Sequence, residues 1–296
     1  MLAVEQLVSE RLPPESAVAF TLQLGEALHR YGTPAHRLEE HLGLVARQLG
    51  LEARFFSTPT SIFASFGPPE ALRTSLIRVA PGELDLGRLA KLDALADEVI
   101  RGHLPPEEGS KRVASILAEP PRSGRVQRLL CWALVAAAGA WLFGGGPREA
   151  AVAGTSSLLI GGLEAWTKRE PRRSLMLELV AALLASALAV VAASLFGPLS
   201  VQVATLAGLI VLLPGLSLTV AITELATRNL ISGASRLVGA ALVFLQLGFG
   251  VALGTRLAQL LPPPLPALRL PHPLWTELLA LLVATLAVSI LFRAQR

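Results

Sequence analysis

Cysteine and lysine are nearly missing from this chain, and acidic residues are nearly missing after its first third. Cys131 is the one cysteine, so no intrachain disulfide forms. Neither Cys nor His falls at a recognised metal-ligand spacing, and a lone thiol opening an apolar run reads as packing. Lysine occurs only as Lys91, Lys111 and Lys168, and arginine carries the remaining basic charge, which reads as a composition bias. No GxSxG, P-loop or dinucleotide fingerprint is present, which argues against an enzyme. Residues 1–11 carry charge early and lack an apolar run of signal-peptide length, so no leader is expected. The net charge is +4, but the basic residues cluster beside apolar segments without interleaved aromatics. They orient helices in a membrane, and nucleic acid is not expected as a partner.

What is present is apolar and segregated. Hydrophobic residues make up 52% of the chain, too many for an ordinary soluble protein. Of 22 acidic residues, only Glu149, Glu164, Glu170, Glu178, Glu224 and Glu277 lie beyond residue 125. The expected architecture is a polytopic α-helical membrane protein with a small N-terminal α+β cytoplasmic domain. The boundary falls at the linker 119–124, giving a cytoplasmic domain over 1–122 and a transmembrane domain over 123–296.

In the front domain, Pro14 opens a helix whose apolar residues Ala17, Phe20, Leu24, Leu28 and Tyr31 recur at helical spacing. Gly32 stops it. Thr33 is the expected N-cap of a second helix with Pro34 at its first position, and Gly50 ends that helix. Residues 51–58, 61–66 and 72–79 read as three short strands. Asp85 caps a third helix, and a fourth follows Pro105-Pro106. His29, His36 and Glu40 are candidates for a metal or hydrolytic site, weighed against solvated helix faces. The hydroxyl cluster 57–61 binds a small anion or is a turn between strands.

Six apolar segments are long enough to be spans: 127–143, 148–166, 175–196, 199–213, 236–259 and 274–292. The fourth is short and broken at Pro214-Gly215. Basic residues favour alternate loops: Arg122, Arg125 and Arg128, then 168–173, then Arg228 and Arg236, then Arg293 and Arg296. The positive-inside rule therefore puts the front domain and both termini on the cytoplasmic side. Glu164 and Glu178 are expected to pair with the basic loop 168–173. Gly250 and Gly254 form a GxxxG pair, read as packing within one bundle or as a dimer face.

The chain is organised around residues 212–236. Between two apolar runs stand a helix breaker, hydroxyls, a carboxylate, an amide and guanidiniums. Freed backbone groups at membrane depth persist only where protein or a water-filled cavity satisfies them, and transporters place broken helices at substrate sites. The substrate-path candidates are Pro214, Gly215, Ser217, Thr219, Thr223, Glu224, Arg228, Asn229, Ser232, Gly233 and Arg236. Glu224 suits a coupling proton or a substrate ammonium group, and Arg228 or Arg236 suits a carboxylate. The plainer alternative is a helix stop at the membrane surface with a Glu224–Arg228 pair.

These residues resemble a known signature. Leu213-Pro214-Gly215-Leu216-Ser217-Leu218-Thr219, Ala221-Ile222-Thr223-Glu224-Leu225 and the run from Asn229 through Ser232-Gly233 to Arg236 resemble the PGLxLTxAIxDL…SGxxR pattern of the threonine/serine exporter (ThrE-type) family. Leu28-His29-Arg30-Tyr31-Gly32-Thr33 with Arg37-Leu38-Glu39 is similar to its LxRYGA…RVE stretch. Thr58-Pro59-Thr60-Ser61-Ile62 and the run from Arg78 to Leu86 match its strand region. The resemblance covers about residues 15–260. It implies export of small amino acids such as threonine and serine across a bacterial inner (cytoplasmic) membrane, driven by an ion gradient; no cofactor is expected. Related two-component systems export dicarboxylates such as succinate, using a large subunit like this one and a small partner. Two departures stand out: Glu224 replaces the usual Asp, and fused members carry about ten spans where about six are read here. A second membrane subunit, a homo-oligomer or a truncated gene would each account for the difference. Besides the substrate and membrane lipid, such a partner is the expected contact. A membrane-anchored sensor or hydrolase is the alternative class.

Overall fold

The computed structural model describes residues 14–80, 82, 84–120, 124–167, 176–258 and 273–292. It is mostly helical, and it divides into two compact units. One unit holds the residues up to 121 together with Leu216–Leu237. The other holds Arg122–Gly215 and Val238–Arg293.

In the first unit, α1 (Glu15–Arg30) buries Phe20, Leu24 and Leu28, and α2 (Ala35–Gln48) buries Leu38, Leu42 and Val45. Both sets follow the i, i+3/i+4 spacing of one helix face. Three antiparallel strands follow in the order β1 (Ala53–Thr58), β2 (Ser61–Phe66) and β3 (Arg73–Arg78). Thr58 pairs with Ser61, so Pro59-Thr60 is a two-residue hairpin loop. The hydroxyl cluster at 57–61 thus includes a turn, and Thr58 and Ser61 bond each other through their side chains at 2.7 Å. Helices α3 (Leu86–Ile100) and α4 (Pro106–Ala118) complete the core with Leu92, Val99 and Val113. Asp85 caps α3 as expected, its Oδ1 accepting Arg88 N–H at 3.0 Å. Strand β1 starts later than the sequence suggests, because Leu51 N–H bonds Ala46 O and closes the end of α2.

The second unit contains α5 (Arg125–Leu142), α6 (Pro147–Thr167), α7 (Leu177–Phe196), α8 (Val201–Gly208) and α11 (Leu274–Leu291). Its helices meet through alanines: Ala136, Ala140, Ala153 and Ala207 form one buried cluster, and Ala181, Ala182 and Ala185 belong to another. Small residues let backbones approach, and dispersion then holds the helices together. The long helix α10 (Leu230–Ala258) contributes its later turns to this unit. A Cβ on Gly250 would collide with Leu179 O, and one on Gly254 would lie 2.9 Å from Leu183 O. The GxxxG surface is therefore occupied by α7.

Three described helices are long and apolar enough to cross a membrane: Leu177–Phe196, Leu230–Arg256 and Leu274–Leu291. A fourth candidate is the pair Val201–Gly208 and Ile210–Ala226, bent by 45°. The remaining expected spans are helical as α5 and α6 but fall outside that set. The fourth segment breaks earlier than Pro214. Helix α8 ends at Gly208, Ile210–Leu212 form a 3-10 turn, and Leu213 is extended before α9 (Gly215–Ala226) begins. Proline bars the helical conformation at the residue before it and has no N–H to give to the preceding turn. The basic loop at 168–173 and the proline-rich loop at 262–272 lie outside the described residues.

Candidate functional site

The site grows from two short stretches of the first unit. On α9, Ala221 and Glu224 share one face and are its buried residues. The helix ends when Asn229 N–H reaches back to Glu224 O at 2.8 Å. This closure needs a left-handed residue, and Arg228 takes it with φ 63°, the one non-glycine at positive φ among the described residues. Such a conformation costs a side chain about 1 kcal/mol or more. Helix α10 then packs tightly back on α9. A Cβ on Gly233 would lie 2.7 Å from Leu225 Cγ and 2.9 Å from Ala221 O, so only glycine fits without movement.

That close approach brings Arg236 onto Glu224. Arg236 Nε donates to both carboxylate oxygens, at 3.2 and 3.1 Å. Glu224 is 0% exposed, while the Arg236 side chain keeps 21% of its surface. The carboxylate has a second partner: Ala35 N–H, the first amide of α2, donates to Glu224 Oε1 at 2.9 Å. A helix N-terminus presents unsatisfied amides and the positive end of the macrodipole, so a buried carboxylate is stable there. Helix α2 has no acidic residue in its first turn and no side-chain cap of its own. Thr33, the expected N-cap, does not perform that role. Its hydroxyl is buried without a partner, and the chain enters α2 through Pro34. The cap comes instead from Glu224, 189 residues away.

A second tie lies beside the first. Ser232 Oγ donates to Ser57 O at 2.8 Å. Ser57 N–H and Oγ both donate to Glu39 Oε1, at 2.6 and 2.9 Å. His29 completes the corner. Its Nε2 donates to Thr58 O at 2.6 Å, which fixes the tautomer because a carbonyl only accepts. Its Nδ1 is buried without a partner. Burial pushes the His29 pKa below its ordinary value, the bond to Thr58 opposes this, and the charge of Arg236 adds to the lowering. His29 is therefore a neutral imidazole at pH 7. It shares no ligand set with His41, which faces Asp93 at 3.7 Å.

The candidates thus separate. Glu224, Ser232, Gly233 and Arg236 come together with Ala35 and Ser57. Thr223 is exposed and bonds Thr219 O, and Asn229 bonds Thr227. Arg228 is exposed and has no carboxylate partner among the described residues, so the Glu224–Arg228 pairing is replaced by Glu224–Arg236. Ser217 is exposed on α9, and Pro214 and Gly215 stand at its start. Ala35 was not foreseen, and Ser57 and Glu39 were singled out, in the hydroxyl cluster and in the Arg37-Leu38-Glu39 stretch, but not as neighbours of Ser232 and Glu224. The one available signal was a helix start, at Pro34-Ala35, with no acid in its first turn.

Residues 19–258, which include every side chain of this corner, match the family model of the threonine/serine exporters, ThrE. The chain belongs to the threonine/serine exporter family. Helix α11 lies beyond the matched range. The exporter-family chain is also similar to the pheromone-regulated membrane protein 10 of several yeasts. It is 30% identical to that of Saccharomyces cerevisiae over 80% of this chain and 31% of the relative. The identities are 29% for Debaryomyces hansenii and 30% for Candida albicans, over 80% of this chain and 24% and 22% of those proteins. It spans less than a third of the length of these relatives. No solved structure matches it. Family and relatives agree with the apolar helices that this is a membrane protein of an exporter family.

Proposed function

We propose that the chain is an inner-membrane secondary-transporter component that exports small amino acids such as threonine and serine. In this reading it has six spans, α5 and α6 included, its N-terminus is cytoplasmic, and residues 214–236 line the substrate path. A second membrane subunit or further copies of the chain complete the transporter. The observation that carries the reading is the polar corner of α9 and α10. A buried carboxylate is held by Arg236 and the α2 amide, while one turn away Arg228 keeps an unpaired guanidinium in a left-handed turn. An unpaired guanidinium beside hydroxyls and an amide receives a substrate carboxylate, and Glu224 takes the ammonium group or the coupling proton. Strain of this kind clusters at sites of function.

Efflux from cells preloaded with labelled threonine tests the proposal, with the chain expressed alone and with a candidate small partner. Wild type is expected to export, and Arg228→Ala to lose most of the flux while remaining in the membrane. Undiminished flux in Arg228→Ala would remove that residue from the path. The same unpaired guanidinium supports a second substrate class, dicarboxylates. Faster efflux of labelled succinate than of threonine would select it.

A further inference from the structure

A cavity of about 460 Å³ lies within the second unit, between α6 and α7, a volume ordinary for a ligand site. Its walls are Ala151 and Thr155 of α6 with Leu188, Ala192 and Phe196 of α7, and Arg148 stands at one end. Ala151, Thr155 and Phe196 are exposed, so the cavity is a groove on the outer surface of the helix pair. At 1.5 Å per residue, the stretches 148–155 and 188–196 make it about 11 Å long. One leaflet of a bilayer is about 15 Å deep, so the groove accommodates most of one acyl chain.

The charged end is not neutralised by any described residue. Arg148 is exposed, has no carboxylate partner among the described residues, and makes one weak contact, Nη1 to Pro198 O at 3.4 Å. The adjacent acid is otherwise engaged: Glu149 Oε1 accepts Ser200 N–H at 2.6 Å and Oε2 accepts Gly146 N–H at 2.8 Å. Gly197, at φ 89°, makes room for the guanidinium, since a Cβ there would lie 3.3 Å from Nη1. An arginine at the end of an apolar groove in a membrane protein calls for an anion with an apolar tail. We propose that this groove binds an anionic phospholipid of the surrounding membrane, its headgroup phosphate on Arg148 and one acyl chain along Ala151, Thr155, Leu188 and Phe196. This site is separate from the α9–α10 corner and stands without any assignment of substrate.

Native mass spectrometry of the full chain in detergent tests it, titrating phosphatidylglycerol and phosphatidylcholine with matched acyl chains. Wild type is expected to prefer phosphatidylglycerol by about tenfold, the scale of one charge-assisted bond. Arg148→Ala abolishes the preference, because it weakens phosphatidylglycerol far more than phosphatidylcholine, whose own choline cation offsets its phosphate. Ala151→Phe, which fills the groove from its exposed side, weakens both. Thr155→Phe is the second filling variant, used if Ala151→Phe fails to fold. Equal binding of the two lipids by wild type, or a preference that survives Arg148→Ala, would overturn the proposal. So would inorganic phosphate displacing the lipid at equal concentration, which would make the site one for a free anion. A change of oligomeric state in the filling variants without a change in lipid binding would assign the groove to a second copy and equally overturn it.

Discussion

Among the described residues each unit buries one glutamate against the amides of a helix start, and the two are built differently. Glu149, in the second unit, accepts two backbone N–H groups, one from Gly146 just before α6 and one from Ser200 just before α8. Among the described residues its charge is met by amides alone, and its neighbour Arg148 turns to Pro198. Glu224, in the first unit, accepts one amide at the start of α2 and is ion-paired with Arg236. Amide caps are fixed parts of the backbone, and such a carboxylate is a structural pin. A guanidinium partner belongs to a side chain that can move or exchange partners. The pair at Glu224 is thus the one with a partner able to exchange, although both acids are buried.

Four measurements sharpen or break this comparison. The largest effect is expected at Glu224. Glu224→Ala leaves Arg236 partly buried without its counter-charge and uncaps α2, a loss of about 3 kcal/mol. Thermal unfolding of the purified protein in detergent reads it, and restoring wild-type stability in Glu224→Ala/Arg236→Met would show that the stranded charge dominates. Glu149→Ala is expected to be milder, at about 2 kcal/mol, because the two amides it strands carry no full charge. If Glu149→Ala were the more destabilising of the two, the ranking of pin and pair would be reversed. Ser232→Ala removes the donor to Ser57 O and should lower stability by about 1 kcal/mol. The smallest effect is a pH dependence from His29. Its folded pKa lies below the unfolded value of 6.5, so the unfolded state binds the proton more readily. The contribution is complete above about pH 6.5 and is lost as pH falls through the folded pKa. Unfolding followed from pH 7.5 down to pH 5 should show that loss in wild type and a flatter profile in His29→Gln.

The sequence carried the local devices well. Asp85 as a cap, the hairpin at Pro59-Thr60 and the helical faces of α1 and α2 all follow from periodicity and turn chemistry within a few residues of chain. The corner at Glu224 did not, because its partners lie far away in sequence: Ala35 is 189 residues from Glu224, and Ser57 is 175 from Ser232. Local logic put Thr33 on the start of α2 and Arg228 on Glu224, since each is the nearest chemically suitable group. Tertiary packing at Gly233 favoured Arg236 over Arg228, and proline at position 34 left the first amide of α2 to a distant acceptor. The break before α9 was legible from Pro214, but its earlier onset at Leu209 was not. The 3-10 turn at Ile210–Leu212 depends on hydrogen bonds that no spacing rule announces.

The central claim is that the Glu224 carboxylate ties α9 and α10 to the start of α2. Hydrogen–deuterium exchange on wild type and Glu224→Gln tests it most directly, read on peptides covering Ala35–Leu42 and Thr223–Arg236. The glutamine keeps the volume and an acceptor but loses the charge that holds Arg236. Faster exchange in both peptides, with the strands β1–β3 unchanged, is the predicted result. Unchanged exchange at the start of α2 would show that the cap is incidental and would contradict the account.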